Sequence, residues 1–328
     1  MVKVVNITIL GAGSYALALA LRFNYNKNKI IIWSKVKEEI DILTKTKMNE
    51  KALKNVKMPS NILYTTNIEK ALDGSNIVVL AVATKYLKSV CLEIKPYIKD
   101  KHIVIASKGI DRESNLFASN IVKDVLKTKK VCTISGPSFA KDMASNGLIG
   151  LSLAATNRYT KDDVIKSLES DILKIRPTKD FIGVELCGTM KNVIAVASGI
   201  LSGMNIIEST KAMFLTESIN DVRILIRKLK GNEKTILSFA GIGDILLTCS
   251  SESSRNYSFG KMIGQGKSTK ELKEYLDNNT VEGVYTLKSV YNLIKKKNIN
   301  APFICLIYDI VFNGKDANDL VTFLRDKK

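Results

Sequence analysis

Residues 7–23 read ITILGAGSYALALALRF, and this stretch decides the fold. A β-branched and apolar run ends at Gly11-Ala12-Gly13 and gives way to a helix-compatible run rich in alanine and leucine. A strand that stops in a glycine turn and re-emerges as a helix is the opening of a βαβ unit. The first glycine lets the chain turn, and the second leaves room for a pyrophosphate to approach the backbone. The small residue at the third position, Ala16, lets helix pack on strand. The helix start then offers N–H groups and partial positive charge to phosphate oxygens. Gly11 and Gly13 are therefore candidate dinucleotide-binding residues. A purely structural turn is the competing reading, and the loop's place directly after the first strand weighs against it.

Outward from this loop, short segments rich in valine and isoleucine recur at 5–10, 30–34, 62–65, 77–82, 103–106, 131–134 and 148–154, with a weaker one at 172–175. Helix-length connections separate them, which predicts a Rossmann-type, doubly wound, mostly parallel sheet with helices on both faces. Beyond residue 180 the strand signals fade. Ala212, Leu215, Ile219, Val222 and Ile226 repeat at spacings of three and four, the pattern of an amphipathic helix. The expected organisation is an α/β dinucleotide domain over 1–179 and an all-α substrate and catalytic domain over 180–328. Two domains also suit a chain of 328 residues, since single cores stop growing near that size.

A net charge of +18 admits nucleic acid, acidic membranes or anionic substrates as partners. The lysines are scattered rather than clustered, so no nucleic-acid partner is expected. The uncharged stretch 192–207 falls short of the roughly 20 residues of a membrane span. Five dispersed cysteines without CxxC or metal spacing suggest free thiols in a reducing cytoplasm and no metal site. The single histidine, His102, sits where a strand begins and reads as a structural residue, so the acid or base of an enzyme must come from elsewhere.

Where a preference for NAD usually places an acid at the end of the second strand, this chain has Ser34 and Lys35, in IIIWSKVKEE. A hydroxyl and a cation suit a 2′-phosphate. The expected cofactor is NADP or NAD, with NADPH at least tolerated, unless Lys35 is an ordinary solvated loop lysine. Lys108 in ASKGID, and Gly136 and Ser138 in ISGPSFAKD, fall past the fifth and sixth strands, where open α/β sheets bind ligands. In the helical half, Lys191 stands on an apolar face among Cys187, Gly188, Ile194 and Ala195. Asp244, after two glycines, is either a helix cap or the partner of a buried cation. Ser254-Arg255-Asn256 precedes a short helix and offers a guanidinium fork, a hydroxyl and an amide to a phosphate, or else caps a surface helix.

Taken together, these residues resemble the bacterial-type glycerol-3-phosphate dehydrogenases that use NAD or NADP. The resemblance runs from Gly11 to about Leu287. It rests on the glycine loop, SKG at 107–109, SGPSFA at 135–140, GVELxGxxKN at 183–192, GxGD at 241–244, SRN at 254–256, FGxxxGxG at 259–266 and VEGVxT at 281–286. It implies reversible reduction of dihydroxyacetone phosphate to sn-glycerol 3-phosphate for phospholipid synthesis, in the cytoplasm, at an active site between the two domains. A homodimer is compatible with it. By position, Lys191 would be the acid/base, with Asp244 orienting it. Lys108, Gly136, Ser138, Asn192, Asp244, Thr248, Ser254, Arg255 and Asn256 would line the substrate. Ser14, Tyr15, Lys35, Lys108, Ala140, Arg255, Thr280 and Glu282 would meet the cofactor. The chain departs from the family at Tyr15-Ala16-Leu17, where Trp-Gly-Thr is common, at Ala83 in place of a proline, and at Asp142, where an acid is displaced behind Lys141. Another two-domain dehydrogenase, of the 3-hydroxyacid or 6-phosphogluconate type, or a non-catalytic NADP-binding sensor are the alternatives. The combination of SGPSFA with GxGD and SRN speaks against the first, and retention of Lys191, Asp244 and Arg255 against the second.

Overall fold

The computed structural model describes residues 4–111 and 114–326. The chain forms two compact units, one of Met1–Lys108 with Phe117–Phe181 and the other of Gly109–Leu116 with Ile182–Lys328.

The first unit holds the strands β1 (Asn6–Leu10), β2 (Lys29–Trp33), β3 (Leu63–Thr65), β4 (Ile77–Leu80), β5 (His102–Ile105), β6 (Val131–Ser135), β7 (Ile149–Ala155) and β8 (Leu173–Thr178). They form one sheet in the order β3-β2-β1-β4-β5-β6-β7-β8. Every pairing is parallel except β6 with β7. The helices between them are α1 (Ser14–Tyr25), α2 (Lys37–Thr46), α3 (Ile68–Leu72), α4 (Thr84–Ile94), α5 (Ala118–Leu126), α6 (Ala140–Met143) and α7 (Arg158–Leu168).

Alternation along the strands supplies both cores. Ile7, Ile9, Ile77 and Val79 face one layer with residues of α1 and α7. Leu10, Val78, Leu80, Ile103 and Ile105 face the other, with residues of α3, α4 and α5. Strands buried on both faces read as near-continuous apolar runs, here with the buried hydroxyls of Thr8, Thr133, Ser135 and Ser152 among them. The doubly wound expectation is met. The weak 172–175 signal is the start of β8, whose buried Leu173 and Ile175 alternate with exposed Lys174 and Arg176.

The second unit is helical: α8 (Phe181–Gly203), α9 (Glu208–Lys228), α10 (Asp244–Cys249), α11 (Arg255–Gly264), α12 (Thr269–Asn278), α13 (Glu282–Lys296), α14 (Pro302–Asn313) and α15 (Asp319–Asp326). By length and composition α8 is apolar enough to cross a membrane, yet its apolar window is wholly buried inside the protein. A helix that is apolar all round belongs in a core, and α8 occupies one. It crosses α11 at four glycines. A Cβ on Gly199 would strike the Tyr257 carbonyl, one on Gly203 that of Lys261, one on Gly260 that of Val196, and one on Gly264 that of Ile200. Here the missing side chains let two backbones touch.

Candidate active site

In the first unit the candidate residues gather at the carboxyl ends of the parallel strands. Gly11, at φ +122°, occupies a conformation that side chains resist, and a Cβ there would come 2.7 Å from the Ala81 carbonyl oxygen. Gly13 precedes α1 with no side-chain cap on the first-turn N–H groups. A Cβ on Gly13 would meet nothing within 4 Å, so the space over the helix start is open. Open space beside uncapped N–H groups fits the pyrophosphate of a dinucleotide, and Gly11, Gly13 and Ser14 would hold it.

Tyr15, on the first turn of α1, reaches two other candidates. Its hydroxyl lies 3.2 Å from Ser138 Oγ, and Lys108 Nζ sits 5.2 Å from its ring centroid. A tryptophan at this position could not make the hydroxyl contact, so the departure from the family pattern links α1 to the loop after β6. Ser138 Oγ also donates to the Gly136 carbonyl at 2.8 Å. Gly136 is needed where it stands, since a Cβ would come 2.5 Å from the Gly150 carbonyl oxygen. Thr84 Oγ1 donates to the Lys108 carbonyl at 2.7 Å, fixing the loop after β5. Ala140 begins α6 and packs partly buried against the core. The loop after β2 presents Ser34 buried and Lys35 exposed. His102 begins β5, at the opposite end of the sheet, and bonds Asp163 at 3.1 Å. Burial holds its pKa below the usual histidine value, against the pull of Asp163.

In the second unit, α8 carries Lys191 into the interior. Lys191 is 8% exposed and Asp244 is 0% exposed, and Lys191 Nζ donates to Asp244 Oδ1 at 2.5 Å. Of the two readings of Asp244, partner of a buried cation is what the geometry gives. Thr248, one turn along α10, donates to the Asp244 carbonyl at 2.6 Å. Its hydroxyl also lies 3.4 Å from Asp244 Oδ1.

A chain of amides flanks this pair. Asn256 Nδ2 donates to Asn192 Oδ1 at 3.0 Å, and Asn192 Nδ2 donates to Glu282 Oε2 at 3.2 Å. Asn256 Oδ1 accepts the Gly283 N–H at 2.8 Å. The starts of α11 and α13 are thereby tied to α8 next to Lys191. Ser254 caps α11 by accepting the Tyr257 N–H at 3.3 Å. Arg255 is exposed on the first turn, its backbone carbonyl accepting from the Tyr275 hydroxyl at 3.4 Å. Thr280 is exposed just before α13, and Glu282 is its first residue.

A signature described as the NAD-dependent glycerol-3-phosphate dehydrogenase N-terminus matches residues 6–161, and its C-terminal counterpart matches residues 180–322. A glycerol-3-phosphate dehydrogenase [NAD(P)+] of Fusobacterium nucleatum is 34% identical over 99% of this chain and 98% of its own length. The chain belongs to the NAD-dependent glycerol-3-phosphate dehydrogenase family. Among solved structures, the glycerol-3-phosphate dehydrogenase of Coxiella burnetii superposes with a TM-score of 0.92 at 29% identity, covering 99% of each chain. The Plasmodium falciparum glycerol-3-phosphate dehydrogenase superposes with a TM-score of 0.89 at 26% identity over 99% of this chain and 96% of its own.

Within this family fold, several contacts near Lys191 were not foreseen from the sequence. Cys249 Sγ lies 3.8 Å from the Lys191 carbonyl oxygen, and Ser198 Oγ donates to the Cys249 carbonyl at 2.7 Å. Burial pushes the Cys249 thiol far up, so it stays protonated and does not compete with Lys191 as an acid or base. The glycines of the α8–α11 crossing were visible as two GxxxG spacings, but only the carbonyls they meet reveal their purpose.

Proposed function

We propose that this chain catalyses the reversible NAD(P)H-dependent reduction of dihydroxyacetone phosphate to sn-glycerol 3-phosphate. The observation that carries the reading, beside family membership, is the buried Lys191–Asp244 pair, 2.5 Å long, next to the start of α11. A ketone reduction needs a hydride, a proton for the developing alkoxide and neutralisation of the substrate phosphate. A bound nicotinamide cofactor supplies the hydride. Lys191 holds a proton at Nζ, polarises the carbonyl through it and transfers it to the oxygen that becomes the alcohol. Asp244 aims Lys191 and its negative charge favours the ammonium form, and Thr248 holds Asp244 in turn.

Arg255, Ser254 and Asn256 take the phosphate. An exposed guanidinium on a helix start adds bidentate hydrogen bonds to the N–H groups and partial charge already there. Asn192 holds Asn256 in place and is close enough to Lys191 along α8 to meet the substrate. In the first unit Lys108, Gly136 and Ser138 are the substrate residues. Tyr15, Lys35 and Ala140 serve the cofactor, as do Thr280 and Glu282 of the second unit. The same reading carries a cytoplasmic setting and a role in supplying phospholipid precursors.

The test is loss of NADPH or NADH absorbance on adding dihydroxyacetone phosphate. A panel of other phosphorylated ketones runs alongside, and 3-hydroxyacids and 6-phosphogluconate are offered in the oxidative direction with NAD+ and NADP+, read as a gain of absorbance. Turnover confined to dihydroxyacetone phosphate is expected. Faster turnover of a 3-hydroxyacid or 6-phosphogluconate, or none with any compound, would refute the assignment.

A further inference from the structure

The loop after β2 holds the two groups suited to a 2′-phosphate, and carboxylates occupy both. Ser34 Oγ donates to Glu39 Oε2 at 2.6 Å and accepts the Val36 N–H at 3.2 Å. Lys35 Nζ lies 3.6 Å from Glu93 Oε2. A serine hydroxyl has one proton, and here Glu39 receives it. What remains to Ser34 is acceptor capacity, part of it taken by Val36, and a phosphate cannot use it.

Glu39 is also well anchored. It sits in the first turn of α2, where the helix end favours a negative charge, and Ser34 is only 5% exposed. The Lys35–Glu93 pair is different in kind. The Lys35 side chain is 80% exposed, so solvent screens that pair and Glu93 is the lesser influence.

A ribose 2′-hydroxyl can donate to the carboxylate at this place, as the acid of an NAD-preferring strand end does. A 2′-phosphate would meet that carboxylate as a like charge, with no hydroxyl proton to offset it. We propose that Glu39, assisted by Glu93, is a specificity-determining residue for the cofactor's 2′ position and holds this chain toward NADH. The proposal rests on the reading that the glycine loop holds a nicotinamide dinucleotide. It reverses what Ser34 and Lys35 suggest when read without their partners.

The test is calorimetric binding of ADP-ribose and 2′-phospho-ADP-ribose, which differ only in the 2′-phosphate and need no catalysis. The wild-type chain should bind ADP-ribose more tightly. Glu39→Gln should improve the affinity for the phosphorylated compound roughly tenfold relative to ADP-ribose, the scale of one charge-assisted hydrogen bond. Adding Ser34→Ala to that variant should reduce the gain to the part that comes from removing the like charge, while Ser34→Ala alone should leave the ratio unchanged. If Glu39→Gln disturbs ADP-ribose binding itself, the ratio is read in Glu39→Ala. A ratio that does not move in either variant overturns the proposal. Failure of the wild-type chain to bind either compound overturns the dinucleotide reading beneath it.

Discussion

Removing one member of the Lys191–Asp244 pair should cost far more than removing both. At the observed 2.5 Å, Coulomb attraction amounts to about 7 kcal/mol at an effective dielectric near 20. Taking each ion out of water costs several kcal/mol, and with Asp244 0% exposed and Lys191 8% exposed little of that hydration survives. The pair thus comes out near balance. Asp244→Asn keeps the desolvation of Lys191 and discards the attraction, so the loss expected is about 3–5 kcal/mol. Lys191→Met strands a carboxylate and should cost a similar amount. The double variant Lys191→Met/Asp244→Leu replaces two buried charges with apolar groups and should recover most of the wild-type stability.

Urea unfolding followed by far-UV circular dichroism measures these differences. Fluorescence of Trp33, the single tryptophan, follows the first unit separately, because Trp33 is buried in β2 there. Turnover should behave in the opposite way. Both variants lacking Lys191 should lose roughly a factor of 100–10,000, the range for a general acid, although one of them keeps most of the wild-type stability. The reasoning fails if Asp244→Asn costs less than about 1 kcal/mol, the value of a solvent-screened pair. It fails equally if the stable double variant turns over normally.

Arg255→Ala should raise the KM for dihydroxyacetone phosphate roughly 10- to 100-fold through lost charge-assisted hydrogen bonds with a smaller change in kcat, and an unchanged KM in steady-state assays would remove Arg255 from the phosphate site. Gly260→Ala drives a methyl group into the Val196 carbonyl. It should lower stability by about 1–3 kcal/mol in a denaturant titration, so a neutral result would mean that the α8–α11 crossing can open without penalty. Gly13→Val should leave the melting temperature within a few degrees of wild type, since nothing lies within 4 Å of its Cβ position. Calorimetry should nonetheless find ADP-ribose binding abolished, and retained affinity would place the pyrophosphate elsewhere.

What could be read from the sequence was whatever depends on neighbours along the chain. The glycine loop, the apolar strands and the small residues around Lys191 each announce themselves within a few positions. Relations across the fold could not be read in that way. Ser34 and Lys35 looked open to a phosphate because Glu39 returns to Ser34 only once α2 folds, and Glu93 approaches Lys35 from α4. Asp244 had two readings because its partner lies 53 positions earlier in the chain. β8 looked weak because Lys174 and Arg176 occupy its exposed face and dilute the apolar signal. For Ser34, Lys35 and Asp244 the missing information was a charge brought in by another element.

The α8–α11 crossing shows how such a distant relation fixes the chemistry. Each interior glycine costs a helix about 1 kcal/mol relative to alanine, and α8 and α11 together contain several. The contacts run in step: Asn192 bonds Asn256, Val196 backs Gly260 and Ile200 backs Gly264. Advancing four residues on one helix matches advancing four on the other, so the two run parallel along one shared face. A slip of one residue turns a helix by about 100°, which would part Asn192 from Asn256 and swing the start of α11 away from Lys191. Side chains larger than glycine would also hold the axes too far apart for the two amides to meet. The glycines therefore do more than allow tight packing. They set the register that places the proposed phosphate-binding residues beside the proposed proton donor, and that register offsets their cost to the helices.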